Sequence, residues 1–335
     1  MVLNYCYNLE MLKISKNKKK IFINLRGGLG NQLFCYFAGE YLRQRLEVTI
    51  VYVYHSKSNV HHRFNSKINS FNLKSNQINS TGIKFKIIVT FMFLKRFIFA
   101  NKNKQKFVKN QNTLINFIFP EIYEEKYFKF EEETAAIAKW IKTAQSKNLY
   151  LRGFFQEFKY FDSCTFNKLE LKKTSVWFKK ITKEMNNKSP IVIHVRLGDY
   201  LNTGLGVLSV EYYKAALVLA EKRFPNNEIW VFSDEIWKAK LILEPIINNK
   251  FKFIANTDGQ NPAEILLAMS YGGLVIISNS TFSLWSARLA SDSIQIIYPD
   301  IFFKDRAFSL SNFSEKWTSV KAHWLCEDEV SHLLQ

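Results

Sequence analysis

Apolar positions along this chain gather into short continuous runs, each followed by a polar cluster and then by a helical spacing of apolar residues. Continuous β-branched runs mark strands buried on both faces, as in parallel sheets. The pattern predicts strands at 21–25, 48–54, 149–155, 191–195, 228–232, 251–254, 274–277 and 294–298. Between them it predicts helices at 33–46, 132–144, 168–185, 209–224, 235–243 and 282–290. A further helix opens with Asn261 as its cap and Pro262 at its first position, and stops at Gly272-Gly273. Residues 313–334, with Trp317 and Trp324, are expected to form a terminal helix that packs back across the first half.

Repeated β-α units of this length define an α/β chain with parallel, doubly wound sheets. Asn186 to Pro190 has the composition of a linker. The expected division is therefore 20–188, 189–312 and a tail at 313–335. Residues 56–79 are polar and rich in Asn and Ser, which predicts an irregular excursion.

Composition adds little until charge is considered. The 335 residues carry a formal net charge of +18, which implies an anionic partner or surface. Much of it is scattered among asparagines, at 16–20 and 102–109 for example. The basic, Phe-rich segment 84–99 has two readings: a core helix with a basic outer face, which is preferred, and an amphipathic segment lying on an anionic membrane. No apolar run reaches the ~18 residues needed to cross a bilayer, and the first twenty residues lack the order of a signal peptide. The four cysteines form no C-x-x-C pair, so a reducing cytoplasm is expected.

The candidate chemistry sits where strands end, because ligands of open α/β sheets bind beyond the carboxyl ends of the strands. Three such ends carry polar clusters: His194, Arg196 and Asp199; Ser233 and Asp234; and Ser278 through Ser283. Arg196 offers a planar fork suited to phosphate, and the residues Ser280, Thr281, Phe282 and Ser283 open a helix whose N–H groups suit an anion. Asp234 is placed to accept from a ribose or base. A fourth cluster, Gly27 to Asn31, follows the first strand. It has two of the three glycines of a G-x-G-x-x-G loop, with Leu33 at the third position, so a dinucleotide fingerprint is disfavoured. Gly28, Gly30 and Asn31 fit better as a loop approaching a pyrophosphate or sugar. No Asp-x-Asp pair and no H-E-x-x-H spacing occurs, so no metal site and no cofactor is expected; His61-His62 read as solvated loop residues. No recognisable nucleic-acid-binding motif is present, and nucleic acid is not an expected partner.

Four stretches together resemble glycosyltransferase family 11, the α-1,2-fucosyltransferases. They are Gly27 to Gln32, Gly153-Phe154-Phe155-Gln156 with Lys159-Tyr160-Phe161, His194 to Tyr200, and Ser278 to Trp285. The resemblance implies a GT-B fold, two Rossmann-like domains facing each other across a cleft. It also implies GDP-fucose as donor, a galactose-terminated oligosaccharide as acceptor, inversion at the anomeric carbon and no metal. Arg196 would then hold the donor pyrophosphate, with Ser280 to Ser283 as phosphate contacts and Asp234 as a nucleoside contact. Some relatives have a second arginine where this chain has Leu197. Asp199 and His194 are both candidates for the general base, and Asp199 is equally a candidate for orienting Arg196. A cytoplasmic enzyme is expected, working at the inner membrane face on a surface glycan or its lipid-linked precursor.

Overall fold

A computed structural model of the chain describes residues 19–54, 67–73, 77–79, 121–126, 130–144, 148–165, 168–254 and 260–334. The excursion at 56–66, His61-His62, the basic segments at 84–99 and 102–109 and Cys6 lie outside the described residues. The chain divides into two compact units, one of residues 1–69 and 73–169, the other of 70–72 and 170–335.

The first unit is a parallel five-stranded sheet in the order β3-β2-β1-β5-β4. Its strands are β1 (Lys20–Asn24), β2 (Thr49–Tyr54), β3 (Gln77–Asn79), β4 (Glu121–Glu124) and β5 (Asn148–Arg152). Helix α1 (Leu29–Arg45) is buried almost all round from Leu29 to Leu42, enclosing Gln32 and Glu40 along with its apolar residues. Helices α2 (Phe130–Thr143) and α3 (Phe158–Asp162) follow β4 and β5.

The second unit is a parallel six-stranded sheet in the order β11-β10-β9-β6-β7-β8. Strands β6 (Ile191–Val195) and β7 (Ile229–Ser233) are buried at every position, which is why they appear in the sequence as unbroken apolar runs. The others are β8 (Phe251–Phe253), β9 (Leu274–Ile276), β10 (Gln295–Pro299) and β11 (Thr318–Val320). The helices are α4 (Val176–Lys188), α5 (Val210–Arg223), α6 (Ile236–Leu243), α7 (Pro262–Met269), α8 (Thr281–Leu289) and α9 (Glu327–Leu334). The Asn261 side chain caps α7 by accepting from Ala263 N–H at 3.1 Å.

Three expectations are corrected. Residues 168–175 are not helical: Ser175 caps α4 by accepting from Phe178 N–H, and Leu171 forms a β-bridge with Phe71. The division between the halves accordingly falls at 169/170 rather than at 188/189, because α4 belongs to the second unit. Its attachment is a buried carboxylate: Glu264 of α7 accepts from both the N–H and the Oγ–H of Ser175, each at 2.6 Å. The tail is not one helix, and it belongs to the second unit. It supplies β11, the edge strand of the second sheet, and Leu208 bridges Trp324 in the same unit. Among the described residues no helix is long and apolar enough to cross a membrane.

Candidate active site

In the second unit β6 lies between β7 and β9, so the carboxyl ends of three neighbouring strands present their polar clusters on one edge. Gly198, at φ +32, lets the chain turn from β6 into the 3-10 turn Gly198–Asn202. That turn carries Asp199 and Tyr200 back under Arg196.

The Arg196 guanidinium is the centre of this edge. One nitrogen ion-pairs with Asp199, another with Asp234 Oδ2 at 2.8 Å, and the plane lies 5.1 Å from the centre of the Tyr200 ring. Its Nε is buried, with no hydrogen-bond acceptor among the described residues. The Arg196 side chain is 22% exposed and that of Asp199 is 49% exposed, so the cluster opens to solvent on the Asp199 side. Burial works against the charge of Arg196, but Asp234 and then Asp199 outweigh it and hold its pKa above the usual arginine value.

Asp234 has a role the sequence did not reveal. Its Oδ1 accepts from the Leu197 N–H at 3.0 Å while Oδ2 holds Arg196. Both oxygens are thus engaged by the loop they fix, a positioning contact that the sequence did not announce.

His194 also changes role. Its ring is buried, with Nδ1 2.8 Å from Ser278 Oγ and the Phe282 ring 5.7 Å away. Burial, and after it the positive charge of Arg196, push its pKa down to about 3. A neutral, enclosed imidazole is a poor general base, so His194 is an anchor between β6 and β9. This burial has a consequence for stability. The unfolded imidazole titrates near 6.5 and takes up a proton that the native state refuses. The native state is therefore unaffected above about pH 6.5 and loses stability as pH falls towards 3, by roughly 2 kcal/mol between pH 7 and pH 5. Thermal unfolding followed across that range should show a smaller drop for His194→Gln than for the parent chain; equal drops would exclude His194 as the source.

The serine cluster is mostly inward-facing. Ser283 is fully buried and its hydroxyl donates to the carbonyls of Ser280 (3.2 Å) or Ser278 (3.3 Å), which corrects its expected phosphate contact. Ser280 caps α8 by accepting from Phe282 N–H at 3.3 Å, and Thr281 is almost wholly buried. Asn279 donates from Nδ2 to the carbonyl of Gly206 at 2.8 Å and so pins the loop after the 3-10 turn. The strand ends are finished by α5, whose Tyr212 and Tyr213 hydroxyls donate to the carbonyls of Ile277 (2.7 Å) and His194 (3.3 Å).

In the first unit, the glycine loop opens α1. Gly27 has φ +75, and a Cβ there would also stand 2.8 Å from the Asn31 amide nitrogen. Asn31 Oδ1 accepts from Gln156 Nε2 at 2.8 Å, and Gln32 donates to the Gly27 carbonyl at 3.0 Å. Gly28 is the exposed N-cap of α1, whereas Gly30 is buried in its first turn. Sequence reasoning missed Glu125. Its carboxylate accepts from the N–H groups of Phe154 (2.7 Å) and Phe155 (3.0 Å), holding Phe155 in a left-handed conformation at φ +50. Burial raises the Glu125 pKa while those two N–H groups draw it back. Two glutamates beside Lys126 gave no such signal, because the partners lie about 29 residues further along.

Among the described residues no group of three His, Cys, Asp or Glu is assembled to hold a metal ion. What the edge offers is a guanidinium fixed by two carboxylates at the end of a buried strand, an arrangement that can bind an anion. The comparisons give the class a family. The model of Glycosyl transferase family 11 matches residues 20–321, and the chain belongs to that family. Each of its two units is built on a parallel sheet of Rossmann-like type. The chain is 27% identical over 208 residues to an alpha-1,2-colitosyltransferase of Escherichia coli, covering 58% of this chain and 69% of the relative. It is 26% identical over 298 residues to the O-antigen biosynthesis glycosyltransferase WbnK of the same organism, covering 82% and 91%. Among solved structures it is similar to the NodZ alpha-1,6-fucosyltransferase soaked with GDP-fucose, at TM-score 0.45 and 10% identity, over 82% of this chain and 93% of that one.

Proposed function

We propose that this glycosyltransferase is an inverting α-1,2-fucosyltransferase that needs no metal and moves fucose from GDP-fucose to the 2-OH of a terminal galactoside. Its product would be a surface glycan or lipid-linked precursor, made at the cytoplasmic face where the basic chain meets anionic lipid. The observation that carries this reading is Arg196, held at the end of β6 by Asp199 and Asp234 with its Nε unmet among the described residues. As the bond from the anomeric carbon to the β-phosphate breaks, negative charge gathers on the departing GDP. A preorganised guanidinium stabilises that charge without the reorganisation water would require. In-line attack by the acceptor hydroxyl on the opposite face gives inversion, the hydroxyl proton passing to solvent as the new C–O bond forms. Asp199 is assigned to orienting Arg196, the role its ion pair supports. Exposed Gly28 would offer the N-terminal N–H groups of α1 to a ligand, with Asn31 beside it held by Gln156.

The relative named for colitosyl transfer favours a second reading, another GDP-sugar transferred with the same linkage. Purified protein incubated with GDP-fucose, lactose and a chelator should give 2′-fucosyllactose, read by NMR, at the rate seen without chelator. Protein that binds GDP yet uses only another GDP-sugar would establish the second reading. Salt-dependent binding of nucleic acid with no binding of GDP would overturn both.

A further inference from the structure

The cluster at Arg196 sets one guanidinium against two carboxylates and so is formally one negative charge in excess. A nucleoside diphosphate leaving group adds at least two more negative charges. Such an anion needs a further cation within reach. The next residue cannot supply it, because Leu197 is fully buried in the apolar core.

A second guanidinium comes from the segment after β10. Residues 303–306 lie along the loop that follows the 3-10 turn: Lys304 N–H donates to the Leu205 carbonyl at 3.0 Å. A Cβ on Gly204 would come within 3.1 Å of Asp305 Oδ2. This contact brings Arg306 near enough to Tyr200 for the two to interact electrostatically. Tyr200 is the ring on which Arg196 also rests. Arg306 is more than half exposed and lies 5.7 Å from the Phe303 ring centre. Its fork is occupied by its own neighbour, Asp305, at 3.0 and 3.1 Å. An exposed pair of this kind contributes little to stability, so a diphosphate can displace the carboxylate easily.

We propose that Arg306 is a second diphosphate-binding residue of the donor site, exchanging Asp305 for phosphate oxygens when nucleotide binds. This rests on the donor site proposed above. The test is calorimetric titration of GDP, with guanosine as a control measured by competition, on the parent chain and on Arg196→Ala, Arg306→Ala, Asp305→Asn and the double variant of the last two. Arg306→Ala should weaken GDP binding about tenfold or more while leaving guanosine unchanged, the scale of one charge-assisted contact. Asp305→Asn should tighten GDP binding several-fold, since the competing carboxylate is gone, and the gain should vanish when Arg306 is also alanine; a gain that persists without Arg306 reflects only the removed charge. Unchanged GDP affinity in Arg306→Ala, equal losses for GDP and guanosine, or no Arg306-dependent gain in Asp305→Asn overturns the assignment. A parent chain that fails to bind GDP at all removes the donor site itself. GDP binding lost in Arg196→Ala but kept in Arg306→Ala removes Arg306 alone.

Discussion

Replacing Arg196 by alanine is expected to lower kcat a hundredfold or more while leaving a folded protein. The size follows from the loss of one preorganised donor aimed at developing charge, about 3–4 kcal/mol of transition-state stabilisation. The substitution also leaves Asp199 and Asp234 without their shared cation, and an acidic pair facing a diphosphate repels it, so donor KM should rise as well. Arg196→Lys keeps the charge but cannot span both carboxylates as a fork, so it should recover only part of the loss. Steady-state kinetics with circular dichroism as a check on folding decide the matter. A folded Arg196→Ala enzyme with near-normal kcat would end the role of Arg196 in holding the departing diphosphate.

The second large effect is expected at Asp234, where two substitutions separate two bonds. Asp234→Asn can still accept the Leu197 N–H but loses the ion pair to Arg196. Asp234→Ala loses both and leaves a loop N–H and a guanidinium nitrogen unpaired, a cost of about 2–3 kcal/mol. Asparagine should therefore reduce kcat roughly tenfold, and alanine nearer a hundredfold with a fall in Tm of a few degrees. The split between kcat and KM distinguishes positioning from direct contact. A residue that only bound the nucleoside would raise KM and leave kcat alone. That second pattern would return Asp234 to the ligand contact that its place at a strand end first suggested.

Strands β6, β7 and β9 are legible in the sequence because burial on both faces leaves no polar position to interrupt the run. The α7 cap is legible because Asn261 and Pro262 act locally, within a few residues of the N–H groups concerned. β4 is not legible: Glu-Ile-Tyr-Glu lies at a sheet edge with only Tyr123 buried, so it has the composition of a loop. The tail fails for another reason, since the pairing of β11 with β10 is a tertiary choice that Thr-Ser-Val does not announce. At the site, Arg196 is recognisable by its spacing from the strand. The roles of His194, Asp234 and Ser283 are not, because each depends on a partner 37 or more residues away or on depth below the surface. Residue type and spacing locate a site, while burial and pairing decide which of its members face the ligand.

The short segment Ser70–Asn72 has a practical consequence for dissecting the protein. Although embedded in the first half of the sequence, it belongs to the second unit: Asn72 N–H donates to the Glu170 carbonyl at 2.7 Å and Lys172 N–H to that of Ser70 at 2.9 Å. Ser70 Oγ also donates to Asn261 Oδ1, the atom that caps α7, at 3.0 Å. The polypeptide thus leaves the first unit, contributes one wholly buried phenylalanine, Phe71, to the second, and returns. No single cut yields the second unit intact. A fragment beginning at residue 170 would lack Phe71 and expose the apolar surface it covers, whereas supplying 67–73 in trans, or grafting it ahead of 170, would restore the missing plug.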